Sequence, residues 1–560
     1  MKKSIYATAA LLAATVLLQA QNVNQTVQVT ADYKSELPEF EKRSLDVAVP
    51  DTLLVFDYKF DYSVFDSPYK GAYEFSPYTV SLTPKVRNTY YNKLYVRAGA
   101  GYSFHPELDA VYELKPADNL ALSVYTTGKG YAGRYSTVGT DMKADPHDCY
   151  SGHDFVNRTG VTGRANFLRS DLTFEAAYNG IFAADLLETS RYNGAHVGAR
   201  LKSNGERGSY FYYDVFATYD YGHDSYRRYG GGLSENDVTL GGTVGPVLDG
   251  KYRFLVDFAV RTDFTTGMKR FHYSLFDVTP RVEFELGPVS LSAGALMNFN
   301  NQEKPFIIYP DIRAGARFFD DVLKVWAAVK GDASLASYRE MKLRSHFYTM
   351  PWNVDDGGFR IERNLDAAIG ASAQIGYFSA RINGGYMLLR NSMAETMAPG
   401  VALDGTLGAL CERYAWIDYN MAHMEAAVSW NSERLQADAE LNFKFADYRG
   451  AEPDVWFPSR YSGRIAATYN WNRRIFAGLS LAGCTSRSNP SRVVPGSFPG
   501  SPSVDYVPGW LDLGLNGRYV LNQTFTFWGQ AGNLLGQSVR TGLLHVQTGP
   551  YITLGVCLTL

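Results

Sequence analysis

The feature that most constrains the fold is an alternation of apolar and polar residues that recurs over most of the chain. In residues 252–264, apolar residues at even positions alternate with polar residues such as Arg253 and Asp257. The same pattern returns in residues 289–300 and 435–445. Successive side chains of a β-strand point to opposite faces, so this period predicts strands with one apolar and one polar face. Repeated over such a length, it favours a membrane-spanning barrel over a soluble sandwich.

The connections between these strands alternate between tight turns and long polar stretches. The tight turns are predicted at 115–119, 168–171, 248–250, 287–288, 320–321, 431–434 and 472–474. The long stretches are predicted at about 130–153, 225–233, 336–362, 392–413, 488–507 and 536–548. Outer-membrane barrels have short periplasmic turns and long extracellular loops. The sequence therefore predicts an all-β, antiparallel, up-and-down transmembrane barrel with long extracellular loops.

We expect about 22 strands, because bacterial single-chain barrels use an even number and the alternating segments after Lys93 give about 21. Ala72–Thr83 is the candidate for the missing strand. Residues 551–560 alternate apolar side chains with small or polar ones. They predict a closing strand that pairs with the first strand and leaves no open edge.

The N-terminus predicts export. Two lysines precede an apolar run from about Ala7 to Leu18, and Ala20 then precedes polar Gln21, which is the layout of a signal peptide. That run is too short to span a bilayer, and no longer apolar run follows, so helical membrane spans are not expected. The resulting division is a signal peptide (1–20), a short periplasmic or lumen-entering segment (21–70) and a barrel (71–560).

The composition agrees with a barrel in the outer membrane. Aromatic residues are 14% of the chain, with 40 tyrosines, yet the mean hydropathy is slightly negative. Aromatic girdles facing lipid and a polar lumen explain both values. The net charge of −3 and the lack of a basic run predict no nucleic-acid partner.

The barrel resembles that of TonB-dependent receptors, through the strand number, the signal peptide and the C-terminal closing strand. The Gln at the new N-terminus and the Tyr-rich strands look like outer-membrane barrels of Bacteroidota. In the receptors a plug domain fills the lumen, and the partner TonB pulls a short N-terminal segment. Thr26, Val27 and Val29 lie in a stretch similar to that TonB box, and Asp51–Val55 is a second candidate. The resemblance implies transport of a nutrient or ligand across the outer membrane.

The chain departs from this family in two ways. It ends in Leu560, where such barrels usually end in Phe. Between Gln21 and the first strand candidate there are only about 50 residues, too few for a complete plug. Three solutions remain for so wide a lumen: the N-terminal segment together with infolded loops, a separate partner, or a pore left open for large cargo.

No enzyme, cofactor or metal site is predicted. The sequence has no nucleophile elbow, phosphate-binding loop or EF-hand loop. His147 and His153 flank Cys149 near three aspartates, but this stretch is interpreted as a polar extracellular loop, because ligand sets need compact spacing and support. Cys149 and Cys411 both fall in predicted external loops, which leaves a disulfide between them open.

One predicted extracellular loop carries candidate ligand-binding residues. These are Tyr338, Arg339, His346, Tyr348 and Trp352. Exposed aromatic residues and arginine are common anchors for ligands and partners. The alternative is a loop that packs its own aromatic residues against the barrel mouth.

Three functions follow in order of preference. The first is a TonB-dependent receptor-like transport barrel. The second is a structural or accessory subunit of a larger outer-membrane complex, and the third is a passive porin. The expected partners are outer-membrane lipid, TonB, and a partner lipoprotein or other outer-membrane subunit.

Overall fold

The computed structural model describes most of the chain from Lys93 to Leu560. The residues outside the description within this range are 118, 139–141, 187–188, 205–209, 227–231, 249–250, 268–269, 302–304, 349–360, 402–406, 448–454, 496–501 and 541. The signal peptide, Thr26, Val27, Val29 and the strand candidate Ala72–Thr83 also lie outside the described residues.

The described chain forms a closed antiparallel barrel of 22 strands. The first eleven are β1 Leu94–Tyr102, β2 Glu107–Ala117, β3 Leu120–Val138, β4 Ala144–Asn166, β5 Ser170–Ala184, β6 Thr189–Ser203, β7 Phe211–Tyr226, β8 Gly232–Leu248, β9 Tyr252–Thr266, β10 Arg270–Leu286 and β11 Val289–Asn300. The others are β12 Phe306–Phe318, β13 Leu323–Leu335, β14 Ile361–Ile375, β15 Phe378–Val401, β16 Leu407–Asn431, β17 Leu435–Asp447, β18 Tyr461–Trp471, β19 Ile475–Cys484, β20 Trp510–Val520, β21 Phe525–Gly532 and β22 Tyr551–Thr559.

Each strand pairs with the next, and β22 pairs with β1 to close the wall. Arg97 of β1 stands opposite Cys557 of β22, and the Leu94 and Leu560 backbones exchange hydrogen bonds of 2.9 and 2.8 Å. The closure confirms both the expected closing strand and the expected number of strands. All 22 strands lie after residue 93, where the alternation in the sequence predicts about 21.

The two faces of the wall follow the alternation in the sequence. Outward-facing Phe254, Leu441 and Leu554 are 44%, 60% and 66% exposed, as a lipid-facing belt requires. Inward-facing Asp257 forms an ion pair of 3.0 Å with Arg281 of the next strand. The polar face is therefore a network of ion pairs on the inner side of the barrel.

The two ends of the barrel differ, as expected. Every tight turn that was predicted connects two strands, and Gly287 adopts a positive φ of 61° in one of them. We call the end of the barrel that carries these tight turns the short-turn end, and the opposite end the long-loop end. The prediction of a loop at 130–153 is wrong, because β3 and β4 run through most of this stretch. The prediction of a loop at 392–413 is wrong for the same reason, since β15 and β16 occupy it.

The sequence does not predict the outer parts of these long strands, and the reason is physical. About 9–11 residues of a tilted strand cross a bilayer, whereas β15 and β16 have 24 and 25. Beyond the membrane both faces can be polar, so the period of two disappears. Shorter paired strands also occupy the predicted loops 488–507 and 536–548: Arg487–Pro495, Pro502–Val507, Val539–Arg540 and Val546–Gln547. A further short strand, Val455–Trp456, lies between β17 and β18.

The largest buried cluster lies inside the long-loop end. It joins Ile181, Tyr192 and Leu335 of the wall to Tyr338 and Met341 of the connection between β13 and β14. That connection contains α1, Tyr338–Arg344. Within the part of the chain that the structure covers, no helix has the length and apolar character needed to cross a membrane.

Candidate functional site: a loop folded into the barrel

The described part of the connection between β13 and β14 turns inward and packs inside the barrel. We call residues 336–348 the infolded loop. Its local structure follows from its sequence: Ser337 caps α1 through the backbone N–H of Glu340, and the Glu340 side chain accepts from the Ser337 N–H in return, both at 3.2 Å. Tyr338 and Met341 are 0% and 2% exposed, so the apolar side of the helix is fully covered.

A buried ion pair attaches the helix to the wall. Lys342 Nζ lies 3.2 Å from Asp224 Oδ2 of β7, and both side chains are completely buried. The ammonium also donates to the carbonyl oxygen of Tyr348 at 2.8 Å and to the hydroxyl of Ser190 in β6. Ser190 and the Tyr338 hydroxyl in turn donate to Asp224. Because each buried charge has several polar partners, the cost of removing the pair from water is offset.

Glu235 of β8 holds the start of the helix. Its carboxylate accepts the backbone N–H of Tyr338 at 2.6 Å and that of Arg339 at 3.1 Å. These are N–H groups that the first turn of a helix cannot satisfy internally. Arg261 of β9 donates to the Leu335 carbonyl oxygen at 2.6 Å and pairs with Asp237 at 2.7 Å. We call the contacts of Tyr338, Lys342, Asp224 and Glu235 the helix anchor.

A salt bridge borders the helix anchor. The Arg339 guanidinium donates to Asp220 of β7, and Asp220 also lies 2.9 Å from His196 Nδ1 of β6. The side chains of Arg339 and Asp220 are 25% and 16% exposed. This pair is more exposed to solvent than the helix anchor, so water screens its electrostatic attraction more.

A second cluster holds the end of the infolded loop. His545 of the β21–β22 connection lies between two carboxylates: its Nδ1 is 2.9 Å from Glu412 Oε1 of β16 and its Nε2 is 3.1 Å from Asp185 Oδ2. The Ser345 hydroxyl donates to Glu412, and the Phe347 ring stacks on His545 with 3.6 Å between centroids. We call these five residues the histidine latch.

Burial and pairing shift the protonation of the histidine latch. Glu412 lies near the start of the 25-residue β16, beyond the membrane-crossing part. Although burial opposes its charge, His545 and three hydrogen bonds lower the pKa of Glu412 to about 2. Burial likewise opposes the charge of His545, but Glu412 and Asp185 raise its pKa to about 9. At neutral pH the latch is therefore an imidazolium between two carboxylates.

Two further contacts complete the loop's attachment. His346 Nδ1 lies 2.8 and 2.9 Å from the carboxylate oxygens of Asp154 in β4. The Tyr348 ring packs against Tyr338 and Tyr414, with centroids 5.8 and 4.9 Å away. The infolded loop is thus bound to β4, β6–β9 and β16, which together form a large part of the wall.

The predicted ligand-binding residues that the structure describes contact the barrel wall and each other, whereas exposed ligand anchors would face solvent. Tyr338 and Tyr348 are 0% and 5% exposed, Arg339 forms an ion pair with the wall, and His346 contacts the carboxylate of Asp154. Trp352 lies outside the described residues. This arrangement agrees with the alternative of a loop packed in the barrel mouth, and ligand binding by these side chains stays a prediction.

Sequence reasoning missed the residues that hold the loop. Lys342, Asp224, Glu235, Glu412 and His545 were not singled out. Two signals were available: Ser337 and Glu340 have the spacing of a capping box, and alternation puts Asp220 and Asp224 on the inner face of β7. Neither signal reveals which strand a distant loop will touch.

The stretch around Cys149 contains no cation site in the structure. Across the described ranges, no group of three or more His, Cys, Asp or Glu side chains is arranged to hold a metal ion. Residues 144–153 belong to β4, in place of the expected loop. Cys149, Cys484 and Cys557 are free thiols.

A cavity of about 500 Å³ lies between the infolded loop and the facing wall. Arg344 and Phe347 of the loop line one side. Ser103 and His105 of the β1–β2 turn, Lys129 of β3 and Tyr551 of β22 line the other. The infolded loop therefore leaves a solute-sized space inside the long-loop end.

No known protein family and no curated protein matches the sequence. Solved structures do resemble the fold. The FrpB iron transporter of Neisseria meningitidis has a TM-score of 0.61 at 10% identity, covering 83% of this chain and 81% of its own. The copper transporter OprC has a TM-score of 0.59 at 12% identity, covering 83% and 80%.

A mutant of the ferric enterobactin receptor PfeA of Pseudomonas aeruginosa has a TM-score of 0.60 at 10% identity, again covering 83% and 80%. At such identities the likeness concerns the fold alone. The closed wall, its lipid-facing belt and these relatives agree on one location, the outer membrane. The chain therefore has the fold of the large outer-membrane barrels that serve as receptors and transporters.

Proposed function

We propose that this protein is a receptor-like transport barrel of the outer membrane, in which the infolded loop restricts the lumen and must move for a nutrient or ligand to pass. The observation that carries the proposal is the loop itself, which enters the barrel and is bound by buried charges to several strands. A wall of 22 strands encloses a wide lumen. A loop held so firmly inside it is well placed to control permeation.

The fold relatives support transport at a general level, since those named above are receptors and transporters. In our proposal the N-terminal segment is a reduced substitute for a plug, and TonB supplies the energy by engaging Thr26, Val27 and Val29. Both parts come from the family resemblance of the sequence. They are separable from the role of the infolded loop.

Conductance in a planar bilayer tests the role of the loop. We expect the purified protein to carry little steady current, and a variant with residues 338–344 replaced by a Gly-Ser segment of equal length to carry a large one. The matched control replaces residues 496–501, the segment between the paired strands Arg487–Pro495 and Pro502–Val507, in the same way. A large steady current through the unmodified protein would contradict the proposal and favour a passive porin.

TonB coupling needs a separate experiment in cells. Removal of residues 21–50 behind an intact signal peptide is expected to abolish energy-dependent uptake while leaving the barrel in the membrane. Unchanged uptake would remove TonB from the proposal without affecting the infolded loop.

A second candidate function is that of a subunit in a larger outer-membrane assembly. The observation in its favour is the length of β3, β4, β15 and β16, of 19 to 25 residues, which carries the wall well beyond the membrane. Such an extension offers surface to a partner lipoprotein or another outer-membrane subunit. Purification in mild detergent decides this: a partner in fixed stoichiometry supports it, and a lone barrel argues against it.

A further inference from the structure

The cavity beside the infolded loop has carboxylates that are already occupied. Glu107 pairs with Arg97 at 3.1 Å. Asp154 is bound by His346, and Asp512 accepts the backbone N–H of Asn533 at 2.6 Å. These acidic groups are tied to the protein's own donors.

The cationic side chains of the cavity, in contrast, are not paired with the described acidic groups. Lys129 and Arg344 both line it, and both side chains are exposed to it. Neither forms an ion pair or a hydrogen bond with any residue in the described part of the chain. Lys129 stands directly opposite Glu107 in the β2–β3 register, but the Glu107 carboxylate is engaged by Arg97 and Gln530. Two positive charges thus face the cavity without a partner among the described residues that line it.

Aromatic rings form another part of the same lining. His105 lies between Tyr131 and Tyr551, with ring centroids 4.6 and 4.1 Å away, and Phe347 lines the cavity from the loop. The amide of Asn533 is committed to the backbone of Gln537 and Gly549. The lining therefore offers aromatic side chains and two cations that no described residue engages.

We propose that this cavity binds a small organic anion, whose carboxylate or phosphate group pairs with Lys129 and Arg344 while its body lies against the side chains of Phe347 and Tyr551. The volume of about 500 Å³ suits a ligand of that size. Arginine and lysine are the side chains that bind such groups through charge-assisted hydrogen bonds. Binding at this site requires neither TonB nor movement of the infolded loop, so it is separate from the proposed function.

Isothermal titration calorimetry on the full-length protein in detergent at low salt tests the site. The probes are glucose 6-phosphate, with its neutral counterpart glucose, and citrate. We expect glucose 6-phosphate or citrate to bind saturably and glucose to bind at least about 10-fold more weakly, since a charged hydrogen bond contributes about 1.5–3 kcal/mol. Lys129→Gln and Arg344→Gln should each weaken anion binding by about 10-fold or more.

Matched controls keep the result interpretable. Lys251→Gln, on an exposed lysine at the short-turn end, should leave anion binding unchanged. Lys129→Arg, which keeps the charge, should restore most of it, which a folding defect at this position would not allow. The proposal is wrong if neither anion binds saturably, if both Gln variants bind like the unmodified protein, or if glucose binds as tightly as glucose 6-phosphate.

Discussion

The helix anchor and the histidine latch hold the same loop by different chemistry. In the helix anchor, Lys342 and Asp224 are both completely buried, and the wall contributes through regular strands β6–β8. In the histidine latch, His545 comes from a loop and Glu412 from the part of β16 beyond the membrane. One attachment is fixed in the wall, whereas the other joins three segments at the long-loop end.

This difference bears on how the loop can be released. Lys342 and Asp224 are completely buried, and Lys342 also donates to Ser190 and to the Tyr348 carbonyl oxygen, so this pair is shielded from water. The charge of the histidine latch rests on His545, and its raised pKa of about 9 places the loss of that charge in the alkaline range. We infer that the helix anchor is permanent, and that the histidine latch is the attachment which conditions can weaken.

Lys342→Met should have the largest effect, because it leaves Asp224 buried without its cation. Breaking a buried pair on one side costs about 3–5 kcal/mol. We expect the helix to leave the barrel lumen and steady bilayer conductance to approach that of the loop-replaced variant.

The double change Lys342→Met with Asp224→Asn is the control for this effect. Removing both charges should recover much of the closed state, since the uncompensated carboxylate is gone. Equal conductance of the single variant and the unmodified protein would show that the helix anchor does not hold the loop.

Glu412→Gln should have the next largest effect. It removes the charge that His545 faces at 2.9 Å and weakens the acceptor for Ser345 and the Leu544 N–H. Hydrogen bonds to charged groups contribute about 1.5–3 kcal/mol. We expect frequent, brief openings in single-channel records, in contrast to the steady current of Lys342→Met.

One outcome of the Glu412→Gln experiment would contradict this distinction between the two attachments. If this variant opens as fully as Lys342→Met, the two attachments act as one unit, and the distinction between a permanent and a releasable contact is wrong. Glu425→Gln, at a residue of β16 that pairs with Arg381 closer to the short-turn end, serves as the control on the same strand.

The contrast between the attachments also explains what the sequence could predict. The wall repeats one rule, apolar toward lipid and polar toward the lumen, so each strand carries its own signal, as Phe254 and Asp257 show. The loop obeys no such rule. Lys342 meets Asp224, 118 positions away in the sequence, and His545 meets Glu412, 133 positions away.

Those pairings depend on which strands the closed barrel brings together, and no local pattern encodes that. The aromatic residues of the loop suggested exposed anchors because Tyr and Arg are common at binding surfaces. The capping residues Ser337 and Glu340 were the stronger local signal, since a well-capped short helix next to apolar Tyr338 and Met341 indicates packing.

The pH dependence of opening should be smaller than the effect of either substitution. The raised pKa of His545, about 9, stabilises the closed loop fully below the ordinary value of 6.5, and this is lost as the pH rises through 9. The lowered pKa of Glu412, about 2, stabilises it above the ordinary value of 4.5, and this is lost as the pH falls toward 2. We expect openings to be rarest between pH 4.5 and 6.5 and to increase toward pH 9.

Single-channel records across this pH range measure the effect. Ionisable side chains around His545 include Asp185, whose Oδ2 lies 3.1 Å from its Nε2, and Tyr135, whose ring meets His545 edge-on. The pKa of Tyr135 is raised by burial, so it stays neutral. In His545→Gln the rise toward pH 9 should disappear; if it persists, another group carries the pH dependence.

Arg339→Gln should have the smallest effect and marks the lower end of the comparison. Its partner Asp220 keeps a contact with His196 at 2.9 Å, and the Arg339 side chain is 25% exposed, so water takes over part of the lost interaction. Ion pairs with access to water contribute about 1 kcal/mol or less. We expect at most a few-fold rise in opening frequency, measured beside Arg164→Gln, which breaks the Arg164–Asp171 pair near the short-turn end and should change nothing. An Arg339→Gln effect as large as that of Lys342→Met would mean that burial does not rank these contacts, and that the Arg339–Asp220 pair belongs to the helix anchor.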